Sequence, residues 1–88
     1  MSEGESLLSF PCRFPIKAMG RNGEGFEALV TGIISRHAAL YEGEAVRTNE
    51  STAGNFIAVT VTIEAQSRAQ LDRIYQELTR CERILMAL

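Results

Sequence analysis

The chain has 88 residues, a formal net charge of −2 and a sequence pI near 5.3, enough for one domain and too short for two. With 45 % hydrophobic and 23 % charged residues it has an ordinary globular composition, and it carries no basic excess that would draw it to a polyanion. No apolar run approaches the roughly 20 residues of a membrane span, and the acidic start Met1-Ser2-Glu3-Gly4-Glu5-Ser6 lacks the basic and apolar regions of a signal peptide.

The two cysteines, Cys12 and Cys81, belong to no Cys/His cluster. These features point to a reduced, cytoplasmic protein with no nucleic-acid partner, no membrane partner, no metal and no cofactor. Residues 1–9 read as a flexible lead-in and residues 10–88 as a single domain.

Pro11 and Pro15 bracket the start of a first strand, where a residue without an N–H is tolerated. From there the pattern alternates, with Phe14, Ile16 and Ala18 on one side and Arg13, Lys17 and Met19 on the other. Three glycines in Gly20-Arg21-Asn22-Gly23-Glu24-Gly25 predict a loop. Phe26, Leu29, Val30, Ile33 and His37, with Ile34 beside them, then mark one face of a helix of about four turns, capped by Asn22 or Gly23.

Residues 44–50 predict a polar edge strand, and Ser51-Thr52-Ala53-Gly54-Asn55 a turn. The strongest strand is Phe56 to Ala65. Ile57, Val59, Val61 and Ile63 line one face; Phe56, Ala58, Thr60, Thr62 and Glu64 line the other. Ser67 followed by Gln70 fits a capping box. Leu71, Ile74, Tyr75 and Leu78 mark a second amphipathic helix ending near Thr79 to Cys81, and Arg83 to Leu88 reads as a last short strand.

The order β-α-β-β-α-β predicts an α+β fold, the ferredoxin-like sandwich: a four-stranded antiparallel sheet in the order 4-1-3-2, with two helices on one face. The loop at 20–25, the turn at 51–55 and the turn at 79–82 then gather at one end. Cys12 lies at the other end from Cys81, too far for a bridge that needs Cα atoms within about 7 Å.

Several segments resemble the YbeD-like family of small bacterial proteins. They are Phe10-Pro11, Phe14, Lys17-Ala18-Met19-Gly20, Arg36-His37, Gly54-Asn55-Phe56, the Val59 to Ile63 strand, Leu71, Ile74 to Leu78, and the closing Met86-Ala87-Leu88. Together they cover nearly all of residues 10–88. The chain departs from that pattern at Ala39, at Phe56 and in its glycine-rich 20–25 loop. The resemblance implies a fold close to the ACT regulatory domains, which bind amino acids and control enzymes. It also implies a link to lipoate metabolism through neighbouring genes, and no catalytic residue.

Two candidate sites follow. ACT domains place ligands near the loop after the first strand, so Gly20, Arg21, Asn22 and Gly23, with Arg80 from the neighbouring turn, form a candidate site for a small anionic or amino-acid-like ligand. Glu24 and Glu27 oppose an anion there, and the plain structural alternative is a permissive connection. On the open face of the sheet, Lys17, Met19, Phe56, Thr60 and Thr62 form a candidate interface for a protein partner or a second copy in a homodimer. The alternative there is a solvated surface. A single aromatic, Phe56, is too few for base stacking.

His37, the single histidine, reads as a structural group at a helix C-terminus. Copper-chaperone and acylphosphatase patterns are absent, as is any Ser/His/Asp or Cys/His arrangement. The apolar Ile84 to Leu88 strand is an inviting edge. The expectation is a non-enzymatic regulatory or adaptor module, with an enzyme handling an anion at the 20–25 loop as the alternative.

Overall fold

The computed structural model describes residues 9–41 and 45–88. The elements are β1 (Cys12–Arg21), α1 (Phe26–Ser35), β2 (Val46–Glu50), β3 (Phe56–Ala65), α2 (Arg68–Arg80) and β4 (Ile84–Ala87). The four strands form one sheet in the order β2-β3-β1-β4, all neighbours antiparallel. This is the ferredoxin-like order expected from the sequence. Residues 1–8 of the expected 1–9 lead-in and the first residue of the expected strand, at 44, lie outside the described residues.

The alternation of β1 and β3 decides which face is buried. Ile16, Ala18, Val59, Val61, Ile63 and Ala65 have no exposed surface, and they meet Phe26, Val30, Ile34, Ile74 and Leu78 from the helices. Each fully buried aliphatic or aromatic side chain contributes about 1.5–3 kcal/mol. Pro15 sits inside β1 without breaking it. The Lys17 N–H donates to the Leu88 carbonyl, so the neighbouring same-face position 15 points its missing donor to the side where β4 no longer pairs.

Three expectations need correction. First, β1 does not stop at Gly20: it continues through Arg21, which pairs with Phe56. Gly20 is a strand glycine pressed from two sides, since a Cβ there would lie 2.3 Å from the Arg83 carbonyl oxygen and 2.6 Å from the Phe26 ring. Second, α1 starts one residue after Gly25, whose positive φ of 78° needs glycine. Neither Asn22 nor Gly23 caps it by a side chain; the Asn22 amide donates instead to the Gly54 carbonyl.

Third, α1 ends at Ser35, short of His37. The chain tightens there, with the His37 N–H on the Ile34 carbonyl. The His37 carbonyl is taken by the Gln70 amide of α2 at 2.9 Å. Gln70 is the centre of this junction. Its backbone N–H donates to the Ser67 hydroxyl, as the capping box requires, but its side-chain oxygen accepts from the N–H of Gln66, one residue before the cap.

Cys12 pairs with Ala65 at one end of the sheet and Cys81 follows α2; both are free thiols.

Candidate functional site

The helices cover one face of the sheet and leave the other open. On the open face β3 carries short side chains while its neighbours carry long ones. Thr62, Thr60 and Ala58 therefore form the floor of a trough. Arg13, Pro15 and Lys17 of β1 wall one side and Arg47 and Asn49 of β2 the other, around a cleft of about 440 Å³. Towards the 51–55 turn the trough continues as an apolar pit of about 220 Å³ between Met19, Ala58 and Phe56, with Asn49 shared by both parts and Glu50 at the pit's rim.

Register sets these positions. Thr60 stands between Lys17 and Arg47, and Ala58 between Met19 and Asn49. Strands lie about 4.8 Å apart and same-face residues about 6.7 Å apart along a strand. The cationic row and the apolar row are thus one same-face step apart.

The cations have different surroundings. The Arg13 guanidinium lies 4.8 Å from the centre of the Tyr41 ring, and position 13 stands opposite position 64 in the strand register. Lys17 is exposed and has no ion-pair partner among the described residues. It is the only lysine of the chain.

All five residues expected to form a partner surface lie on this face, and the trough brings Lys17, Thr60 and Thr62 together in its basic half and Met19 and Phe56 in its apolar half. Thr62 is 9 % exposed, so it is floor more than contact. Arg47 is the residue the sequence reading passed over. Folding the expected 51–55 turn symmetrically about position 53 sets 47 opposite 59, on the buried face; the observed hairpin is centred between 53 and 54 and sets it opposite 60, so this offset hid Arg47.

The loop site is arranged differently from expectation. Arg21, Asn22 and Gly23 do line a cleft of about 440 Å³, but their companions are Glu82, Arg83 and Leu85, not Arg80. Arg80 is exposed in the last turn of α2. Three of the cleft's groups are engaged with neighbours outside it. Arg83 donates to the Glu24 carbonyl and lies 5.6 Å from the Phe26 ring centre; Arg21 lies 5.8 Å from that of Phe56; Asn22 is hydrogen-bonded to the hairpin. Arg83 had no periodic signal, because it follows the helix and precedes the strand.

On the helical side His37 Nε2 lies 2.6 Å from a Glu77 carboxylate oxygen, and the other oxygen accepts from Arg36. This joins the end of α1 to α2, far from the trough. Among the described residues no three His, Cys, Asp or Glu side chains are grouped to hold a metal, and no helix is long and apolar enough to cross a membrane. Tyr75, beside the core, has its hydroxyl pKa raised above the ordinary value of 10.0 by burial.

Known proteins resemble this chain along almost its whole length. A family described as a protein of unknown function (DUF493) matches residues 5–88. A UPF0250 protein of Chromobacterium violaceum is 42 % identical over 86 residues, covering 98 % of this chain and 97 % of that one. A UPF0250 protein of Neisseria gonorrhoeae is 36 % identical over 83 residues, covering 94 % and 91 %. These agree with the YbeD-like resemblance.

Among solved structures, protein HP0495 from H. pylori superposes with a TM-score of 0.71 at 12 % identity, covering 92 % of this chain and 85 % of that one. The ACT domain of a GTP pyrophosphokinase from Chlorobium tepidum does so with a TM-score of 0.67 at 15 % identity, covering 86 % and 84 %. At these identities the likeness is one of fold, and the fold is ACT-like.

Proposed function

We propose, from the premise that this chain belongs to the DUF493 family, that it is a non-enzymatic, ACT-like regulatory or adaptor module working in the cytoplasm. In this reading its open sheet face docks a partner protein. The observation that carries it is the trough along β3, where a free lysine and an apolar pit lie one step apart on a rigid sheet. Interfaces commonly combine apolar anchors with a polar surround, and a sheet holds such groups more firmly than a loop does. The single histidine is engaged with Glu77 on the opposite layer, which leaves the trough without a general base of that kind.

A second reading, an anionic ligand in the 20–25 cleft, is favoured by one observation: Arg21 and Arg83 share that cleft. Both arginines are already engaged outside the cleft, Arg83 with the Glu24 carbonyl and the Phe26 ring and Arg21 with the Phe56 ring, so it ranks below the open face.

The test is a photo-reactive amino acid placed at Ala58 and, separately, at the exposed Arg73 of α2, in the full chain within its own cells. Capture of one defined protein from position 58, lost on adding Lys17→Glu and absent from position 73, supports the reading. Capture from position 73 alone, or from neither, overturns it.

A further inference from the structure

The geometry points to an extended acidic segment of a partner protein as the occupant of the trough, with a carboxylate side chain and an apolar side chain two residues apart. This rests on the open-face reading above and specifies its partner.

The shape argues for an extended chain. From Thr62 to Phe56 the floor runs for about 20 Å, the length of roughly six residues in a strand. The walls of β1 and β2 confine a visitor to the line of β3. A visiting strand presents every second side chain to the floor.

The charges argue for acid. Although the chain is net negative, Lys17 and Arg47 stand on the two sides of Thr60, and Arg13 lies further along the same wall. Among the described residues Lys17 has no ion-pair partner, Glu64 stands one same-face step beyond Thr62 and Glu50 rims the other half, so the free charge beside Thr60 is the Lys17 ammonium. A carboxylate over Thr60 meets the Lys17 ammonium, with the threonine hydroxyl beneath it, as a charge-assisted contact.

The pit argues for the apolar partner. The floor at Ala58 is a single methyl, and Met19 and Phe56 rise beside it, the latter 46 % exposed. A leucine-sized side chain fits this kind of recess, and burying Phe56 under it removes apolar surface from water. The Thr60 and Ala58 rows are one same-face step apart, so the ligand's carboxylate and apolar group must also be separated by one intervening residue. This gives a register requirement, and it does not depend on affinity alone.

The test uses two fluorescein-labelled peptides of about ten residues, identical in composition and rich in Ser and Thr. One contains Glu-Thr-Leu; the other is its isomer with the leucine moved next to the glutamate. Anisotropy titrations of the full chain are expected to show saturable binding of the first. The isomer should bind about tenfold more weakly. Lys17→Glu should abolish binding, while Lys17→Arg, which keeps the charge, should retain it.

A carbodiimide that joins carboxylates to amines should couple the bound peptide to Lys17 and fail to do so at that position in Lys17→Arg. Amide spectra of the variants show that each remains folded. Equal affinity for both peptides, equal affinity of Lys17→Glu, or no saturation up to about 1 mM overturns the proposal. If such a failure coincides with retained capture from Ala58 in cells, the open-face reading stands and only the occupant is wrong; if capture fails too, both fall.

Discussion

Lys17 and Arg47 are cross-strand neighbours of the same threonine, Thr60, one from each side of β3. Lys17 has no ion-pair partner among the described residues, and surface charges away from special contacts change stability within about 0.5 kcal/mol. Lys17→Gln is therefore expected to unfold in urea at the same midpoint as the parent, or slightly above it, while losing partner association. A clear fall in the midpoint would make Lys17 a structural residue and remove it from the docking surface.

Among the described glycines Gly20 leaves the least room for a side chain. Its Cα faces the Arg83 carbonyl and the Phe26 ring, at the place where the pairing of β1 with β4 shifts register. Gly20→Ala drives a methyl group into backbone and a buried ring, an overpacking that costs about 1–3 kcal/mol. Gly25→Ala is unfavourable for a different reason, its positive φ, with space around its Cα left open. Chemical denaturation of both separates contact from conformation. A core substitution that shortens the Phe26 ring should recover only the ring's share of the Gly20→Ala loss, because the Arg83 carbonyl still stands 2.3 Å from the new methyl, and none of the Gly25→Ala loss; an equal recovery in both would contradict the crowding account.

Gln70 holds the junction between the two helices. It is 8 % exposed and serves three bonds, to Ser67, Gln66 and His37. Gln70→Ala leaves the Gln66 N–H and the His37 carbonyl without their side-chain partner and is expected to cost about 1–3 kcal/mol. Ser67→Ala removes only the cap and should cost about 1 kcal/mol. Equal costs would mean that the reach across to His37 contributes nothing.

Tyr75 gives a pH dependence with a definite sign. Burial raises its folded-state pKa above 10.0, so the unfolded chain releases the phenolic proton first as pH rises. Its contribution is fully present below the unfolded pKa and is lost as pH climbs from about 10 through the folded value. Urea midpoints at about pH 8 and about pH 11 should therefore differ more for the parent than for Tyr75→Phe. An identical drop in both would show that Tyr75 carries none of the alkaline loss.

Much of this architecture was legible in the sequence because its signals were local. The β-branched alternation of Phe56 to Ala65 gives β3 with its observed ends, and Ser67 with Gln70 marks the start of α2. What the sequence hid depended on tertiary contact. Gly20 reads as loop beside Gly23 and Gly25, yet it belongs to the strand because Phe26 and Arg83 close over it. His37 keeps the apolar period of α1, but Gln70 captures its carbonyl after the helix has ended.

The candidate sites divide along the same line. The open-face residues of β1 and β3 followed from strand parity, whereas Arg47 depended on the register of the hairpin. The loop cleft depends on how the chain leaves α2, so Arg83 lines it and Arg80 does not. Periodicity carries no information about that exit.

The most direct test of the central claim is native mass spectrometry of the untagged protein, isolated gently from its own cells, beside the Lys17→Glu variant. The account predicts that part of the parent chain, 9.7 kDa alone, is recovered bound to another protein, and that the folded variant is recovered free. A parent found only as an unliganded monomer, or a complex that survives Lys17→Glu unchanged, would contradict it.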